Sequence, residues 1–514
     1  MPEIAHPLHP LDEQLARLLK RLEGGASPRG LTALVRHVSA RTREGVIAVP
    51  LADAPAVDME ALQASAVVGR EGDYKPLILS DTHAWLYRYW SYEQRLATCI
   101  QARMRDDTLL IISGGPGTGK TTQVTGKLVE LIAGGISPTR ILLAAPTGKA
   151  AMRMQESIRD TRQRENITCP MPEQASTLHR LLGFMPNRVG FRHHAHNPLP
   201  ADVVIVDEAS MIDISMMTHL FEAVPPHAKL MLLGDKDQLA SVETGSIFRD
   251  LCSGHALAKQ MLLLQTSYRF TDTDGIGQLA QAIRADDAAR LLEVLASPAF
   301  PEVSLDESST GLNAEWVREG WQAYVAAVKA GELSAIFNTF NALRILTPLR
   351  QGRLGVEGLN PWVDGVMQRL LPAHERAQRP WYVGRPVMVT QNDYRQNLFN
   401  GDIGIALPNE AGELRVWFPA GAAGEYRAVA PIRLPAHETA WAMTIHKSQG
   451  SEFTRVLLIL PEADDLPLLG RELLYTAVTR AKQGIHILAS RAMLGKALRT
   501  VTPPSSQLQE RLQA

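Results

Sequence analysis

The sequence predicts an α/β protein with two parallel-sheet domains flanked by helices, a small antiparallel insertion in the second, and a small, mostly helical N-terminal domain. Three observations predict it. From about 92 to 265, short apolar runs at 109–112, 141–145, 203–206 and 230–233 alternate with helical segments, the pattern of a parallel sheet covered on both faces. A second set of runs follows at 343–346, 456–460 and 485–488. Between them, 387–389, 403–405 and 414–417 read as short antiparallel strands, with Asn400-Gly401 as a hairpin turn.

Length and composition agree with several domains. A chain of 514 residues is long for one core, and 45% hydrophobic with 21% charged residues is ordinary for a globular protein. The expected divisions are 1–90 as an accessory, partner-docking domain, 91–340 as the first α/β domain, 341–502 as the second with its insertion at about 384–435, and 503–514 as a loose tail or short helix. Cys99, Cys169 and Cys252 lie far apart with no C-x-x-C, which excludes a disulfide framework and a thiolate zinc site. No apolar run reaches the length of a membrane span, and residues 1–10 lack a signal-peptide core, so a cytoplasmic location is expected. A net charge of −1 excludes a globally basic nucleic-acid binder; polyanion contact must come from a local groove. The basic clusters at 159–164 and at Arg344, Arg350 and Arg353 read as solvated surface.

The N-terminal domain opens with a helix. Leu11, Leu15, Leu18, Leu19 and Leu22 follow amphipathic spacing and Gly24-Gly25 closes it. Trp85, Tyr87, Tyr89, Trp90 and Tyr92 form an aromatic run suited to packing in a core or against a partner, with base stacking as the alternative.

At the end of the first apolar run stands Gly114-Gly115-Pro116-Gly117-Thr118-Gly119-Lys120-Thr121, followed by Thr122 and a helical segment. This satisfies G-x-x-x-x-G-K-[ST] between a strand and a helix. The glycines let backbone N–H groups turn inward around phosphate oxygens, and the helix N-terminus adds its positive end. Lys120 would reach the β- and γ-phosphates, and the Thr121 hydroxyl would take a Mg²⁺ position. The motif predicts binding of a nucleoside triphosphate.

The strand at 203–206 ends in Asp207 and Glu208, the first placed to hold Mg²⁺ and the second to polarise the attacking water. Gln238, beyond the strand at 230–233, has the reach to report the γ-phosphate, with the segment onward to Gly245 relaying it. Arg269 in Ser267-Tyr268-Arg269-Phe270 and Arg480 in the run 475–482 carry guanidinium forks that could neutralise transition-state charge. One from each α/β domain would make hydrolysis depend on domain closure. The turns at 145–151, 176–180 and 444–453 carry hydroxyls and cations suited to phosphodiester contacts, which position a strand without reading it.

In order along the chain, GGPGTGKTT, LLAAPTGKAA, ASTLHRLLG, VIVDEASMID, LLGDKDQLASVETG, SYRF, GRPVMVTQND with LFNGDIGIAL, WAMTIHKSQGSEF and LLYTAVTRAK resemble the motifs of superfamily 1B helicases, and more narrowly the RecD family, the alpha subunits of bacterial exodeoxyribonuclease V. The resemblance covers about 92 to 490. It implies two RecA-like domains, an inserted SH3-like β-barrel, ATP with Mg²⁺, and 5′ to 3′ movement on single-stranded DNA in a heterotrimer with RecB-like and RecC-like subunits. It gives Lys120, Thr121, Asp207, Glu208, Gln238, Arg269 and Arg480 their ATPase roles. It further implies that Gln94 recognises adenine, that Gly450 and Glu452 face the nucleotide from the second domain, and that Thr147, His179, Thr444 and His446 contact single-stranded DNA.

His193, His194 and His196 read as an exposed polar loop rather than a zinc site, which would need a closed ligand set. No acidic constellation after the second domain suggests a nuclease, so any DNA degradation is expected in another subunit. A free-standing RecD-like helicase is the alternative. Intact motifs argue against a decayed structural subunit, and the absence of N-K-x-D argues against a GTPase.

Overall fold

The computed structural model describes residues 9–513 except 26, 173, 186–189, 241–243, 267, 271–273, 308–311, 374–379, 394, 421–423, 463–468 and 503. The chain forms two compact units, one of Met1–Lys236, Ala240–Thr266 and Pro503–Ala514, the other of Asp237–Leu239 and Ser267–Thr502.

The first unit begins with the helices Pro10–Glu23 and Leu31–Arg43. The first ends where expected, on Gly24 at φ 72°. Its expected apolar face is only partly covered: Leu19 is inside with Ala16 and Leu15 packs on that core, whereas Leu11, Leu18 and Leu22 are 58%, 47% and 55% exposed. A small sheet follows that the periodicity did not predict, because its strands are two to four residues long: β1 (Val49–Pro50), β2 (Val68–Arg70), β3 (Leu77–Leu79) and β4 (His83–Leu86), in the order β1-β4-β3-β2. Trp85 on β4 is buried and Tyr87, Tyr89, Trp90 and Tyr92 pack against the same core, so the aromatic run is a packing element.

The parallel sheet of this unit contains β5 (Leu109–Gly114), β6 (Ile141–Ala145), β7 (Ala175–Thr177), β8 (Val203–Val206), β9 (Lys229–Gly234) and β10 (Met261–Leu264), ordered β10-β5-β9-β8-β6-β7. Alternate strand residues face two cores. Leu109, Ile111, Val204, Val206, Leu230 and Leu232 pack on one side, and Ile112, Leu143, Val203, Ile205, Met231 and Leu233 on the other.

Of a loose tail or a short helix, the C-terminal segment forms the helix. Buried Asp250 accepts from the Ser505 and Ser506 hydroxyls at 2.7 and 2.6 Å. The Ser505 carbonyl accepts from the N–H groups of Ile47 and Ala48. Leu508 and Leu512 of the helix Leu508–Gln513 enter the core beside Trp85.

The second unit holds a parallel sheet of β11 (Val303–Asp306), β12 (Leu343–Thr347), β18 (Ala442–Thr444), β19 (Phe453–Ile459) and β20 (Ala481–Leu488), ordered β11-β20-β19-β12-β18. Because β11 pairs with β20, residues 267–340, expected in the first domain, fold with the second unit. Arg344, read as solvated surface, is fully buried on β12. It donates to the Ala440 carbonyl and lies 4.2 Å from the Phe340 ring centroid. Burial lowers its pKa to about 9.

Between β12 and β18 runs the antiparallel insertion: β13 (Arg385–Val389), β14 (Ile403–Pro408), β15 (Leu414–Pro419), β16 (Tyr426–Val429) and β17 (His437–Thr439), ordered β16-β15-β14-β13-β17 around its own core of Val387, Val389, Leu398, Ala406, Val416 and Phe418. Gly404 is required there, since a Cβ would meet the Phe418 ring at 2.6 Å. Asn400-Gly401 turns within the loop 390–402 rather than forming a two-residue hairpin, with Gly401 at φ 94°.

Candidate functional site

The loop after β5 has the backbone that its glycines allow. Gly117 and Gly119 stand at φ 75° and 78°, values strained for other residues, and Gly119 caps the helix Lys120–Ala133. The Thr118 hydroxyl donates to the Gly115 carbonyl at 2.9 Å. The Lys120 ammonium donates to the Gly114 and Gly115 carbonyls at 2.6 and 3.0 Å. The lysine thus bends back over its own loop, held by neutral acceptors that anionic phosphate oxygens outcompete.

Asp207 and Glu208 follow β8, two places from β5 in the sheet. The Asp207 N–H donates to the Ala144 carbonyl at 2.9 Å, and the Glu208 N–H to Asp207 Oδ1 at 2.8 Å. Glu208 stands at φ 53°, a left-handed conformation that costs a non-glycine residue about 1–2 kcal/mol. Burial and then the charge of Glu208 raise the Asp207 pKa, while Lys120 and Arg153 oppose the shift. Two adjacent carboxylates, one desolvated, supply oxygen donors with surplus negative charge. A hard divalent cation fits such a set.

The nucleotide-facing residues expected beyond this loop fold with the second unit. Asp237–Leu239 belong there, and the Leu239 N–H donates to the Thr476 hydroxyl at 2.8 Å while its carbonyl accepts from Gln449 Nε2 at 2.6 Å. Gln238 therefore precedes a residue anchored both to Gln449, beside Gly450, and to Thr476, in the helix Arg471–Val478 that leads to Arg480. Part of its expected relay to Gly245 lies outside the described residues.

Arg269 was expected on the first domain and folds instead with the second unit. Its guanidinium pairs with Glu452 at 2.7 Å, and Phe270 packs against that unit's core. Glu452 also holds Lys482 at 3.3 Å. Arg480 is almost wholly buried, donating to the Thr476 and Ser451 carbonyls at 3.2 Å each. Gly450 takes φ 67° between them.

The four residues expected to touch DNA are divided between the units. The Thr147 hydroxyl caps the helix Gly148–Arg164 by accepting from the Ala150 N–H. His179 lies edge-on to Phe184 and Phe191, each ring centroid 6.0 Å away. The Thr444 hydroxyl accepts from the Lys447 N–H, and burial lowers the His446 pKa. Nearby, Lys447 and Arg350 both pair with Glu438, at 2.7 and 3.5 Å, at the edge of a cavity of about 710 Å³. In the loop of three histidines, His193 Nδ1 lies 3.2 Å from the Asn197 carbonyl, and no group of three or more metal-ligating side chains occurs among the described residues.

Sequence reasoning missed the setting of Gln94. Its amide oxygen accepts from Arg511 at 2.8 Å, a contact spanning most of the chain that no local pattern announces.

A phosphate loop and carboxylate pair in one parallel-sheet unit, with a second parallel-sheet unit carrying arginines and an antiparallel insertion, define a P-loop ATPase of the helicase type. Residues 97–244 match the family model of an AAA domain, and 439–488 that of a UvrD-like helicase C-terminal domain. The chain is 41% identical over 447 residues to the RecBCD enzyme subunit RecD of Mycolicibacterium smegmatis, covering 82% of this chain and 74% of that one. It is 36% identical over 506 residues to the Haemophilus influenzae RecBCD enzyme subunit RecD, covering 85% and 76%. It is also 34% identical over 374 residues to the ATP-dependent RecD2 DNA helicase of Deinococcus radiodurans, covering 73% of this chain and 46% of that one. The chain belongs to the RecD family.

Proposed function

We propose that this chain is the 5′–3′ DNA helicase motor of a RecBCD-type enzyme, an ATPase stimulated by single-stranded DNA that acts with RecB-like and RecC-like subunits at double-strand breaks. The observation that carries the reading is the preformed phosphate loop, with Lys120 folded over the Gly114 and Gly115 carbonyls beside the raised Asp207, in a chain of this family. The RecBCD relatives match at 41% and 36% identity over 82% and 85% of this chain, the RecD2 helicase at 34% over 73%, which supports the complex-forming reading.

In this reading the loop N–H groups of Gly115 and of Gly117 to Thr122 cradle the phosphates, with Pro116 shaping the turn, and Lys120 leaves its carbonyls to pair with phosphate oxygens. Thr121 and Asp207 hold Mg²⁺, which when bound neutralises developing phosphate charge. Glu208 orients the attacking water and Gln238 reports the γ-phosphate. Arg269 and Arg480 supply cationic charge where the transition state needs it. Gln94 reads adenine, while Gly450 and Glu452 line the nucleotide side of the second unit. Thr147 and His179 in one unit, and Thr444 and His446 in the other, grip the strand backbone alternately as hydrolysis proceeds. Among the described residues no helix is long and apolar enough to cross a membrane; a cytoplasmic site of action is part of the proposal.

The test is Lys120→Gln. The variant should fold and bind partners normally yet lose DNA-stimulated ATP hydrolysis by at least about a thousandfold, since it loses charge on bound phosphate. Near-wild-type turnover would overturn the assignment.

A further inference from the structure

Arg511, on the last helix of the chain, is fixed on several sides in the first unit. Its Nε donates to Glu93 Oε1 at 2.7 Å, one terminal nitrogen reaches Glu71 at 2.7 Å, and the other donates to Gln94 Oε1 at 2.8 Å. The guanidinium carbon lies 5.5 Å from the Trp85 ring centroid. Glu93 is fully buried and also accepts from Trp85 Nε1 at 3.3 Å. The Arg511 carbonyl accepts from Gln101 Nε2 at 2.9 Å, so the backbone under the guanidinium is held as well.

A guanidinium carries donors only, so the atom of the Gln94 amide that faces it must be the oxygen. The amide nitrogen is then turned the other way. An amide oxygen has two lone pairs, and Arg511 uses one. What remains is one acceptor and a fixed donor side by side, the pattern that matches the N6 amino group and N7 of adenine; guanine offers acceptors at both O6 and N7 and sets O6 against the amide oxygen.

We propose that Arg511 is a positioning residue for base selection: by pinning the Gln94 amide, the C-terminal helix sets the preference of the ATPase for adenine over guanine nucleotides. The inference rests on Gln94 as the adenine reader. It gives the docked C-terminus a role in substrate choice besides its packing. The Gln94 helix Tyr87–Arg105 leads directly into β5 and the phosphate loop, which places the reader and the loop on consecutive elements.

The test measures kcat/KM for ATP and for GTP in DNA-stimulated hydrolysis by the full chain, in wild type, Arg511→Lys and Gln94→Ala. Arg511→Lys keeps a positive charge opposite Glu93 and Glu71 but lacks the fork that reaches Gln94. Both nucleotides are read on one preparation, so partial unfolding cancels from their ratio. Arg511→Lys is expected to lower the ATP-to-GTP ratio by about tenfold, mainly through KM, as loss of one hydrogen-bond preference should. Gln94→Ala should lower it at least as far. An unchanged ratio in Arg511→Lys with a lowered one in Gln94→Ala overturns the positioning role alone. An unchanged ratio in Gln94→Ala overturns the adenine reader, and the positioning role with it.

Discussion

Arg269 and Glu452 form an ion pair at 2.7 Å inside the second unit, with Lys482 on the other carboxylate oxygen. Two residues drawn toward the nucleotide by motif are thus partners of each other, and Glu452 is the anion that fixes where the Arg269 fork points.

Glu452→Gln should therefore lower kcat by about tenfold with KM changed less than about threefold, because a guanidinium positioned in advance acts mainly in the transition state. In a double-mutant cycle, adding Glu452→Gln to Arg269→Ala should cost little further. Additive losses would mean that Glu452 acts on the nucleotide independently of Arg269.

Arg480→Ala should reduce kcat by about a hundredfold while nucleotide affinity stays within about threefold, as removal of one transition-state donor does. The Thr476 and Ser451 carbonyls each lose the Arg480 hydrogen bond in this variant, though Thr476 keeps that from the Thr479 hydroxyl, so a stability loss of about 1–2 kcal/mol should accompany it. Steady-state kinetics with nucleotide titration separates the effects; equal losses in binding and turnover would contradict the role.

Asp250 gives a pH-dependent prediction with a definite sign. Burial raises its carboxyl pKa, against hydrogen bonds from Ser506 and Ser505 that lower it. Above the unfolded carboxylate pKa the folded state then binds more protons than the unfolded one, and the contribution of this group to stability falls as pH rises. From pH 7 down toward pH 4, wild type should gain stability relative to Asp250→Asn in paired denaturant titrations. A difference independent of pH, or of opposite slope, would show that Asp250 is ionised in the fold without penalty.

The phosphate loop and the Asp207-Glu208 pair were legible because each joins a strand run to a turn whose chemistry is local. The second sheet was legible in 343–346, 456–460 and 485–488 for the same reason. β11 was not: Val303–Asp306 is short, only its first residue is fully buried, and its place beside β20 depends on pairing across most of the second unit. With it went the placement of 267–340 and of Arg269. Arg344 was misread because a charged residue in sequence carries no sign that Phe340 and Phe453 will enclose it. Of the stripe Leu11, Leu15, Leu18, Leu19 and Leu22, only Leu15 and Leu19 meet the core beside Ala16, because a helical period alone does not say which edge of the apolar face is covered. Arg511 on Gln94 was beyond reach, joining residues more than four hundred positions apart.

The central claim is a motor that moves 5′ to 3′ on single-stranded DNA, and unwinding of tailed duplexes by the wild-type chain with ATP and Mg²⁺ tests it most directly. A duplex with a 5′ single-stranded tail should be separated, and one with a 3′ tail should not. Separation of the 3′-tailed duplex alone, or of neither in a preparation that hydrolyses ATP on DNA, would contradict it.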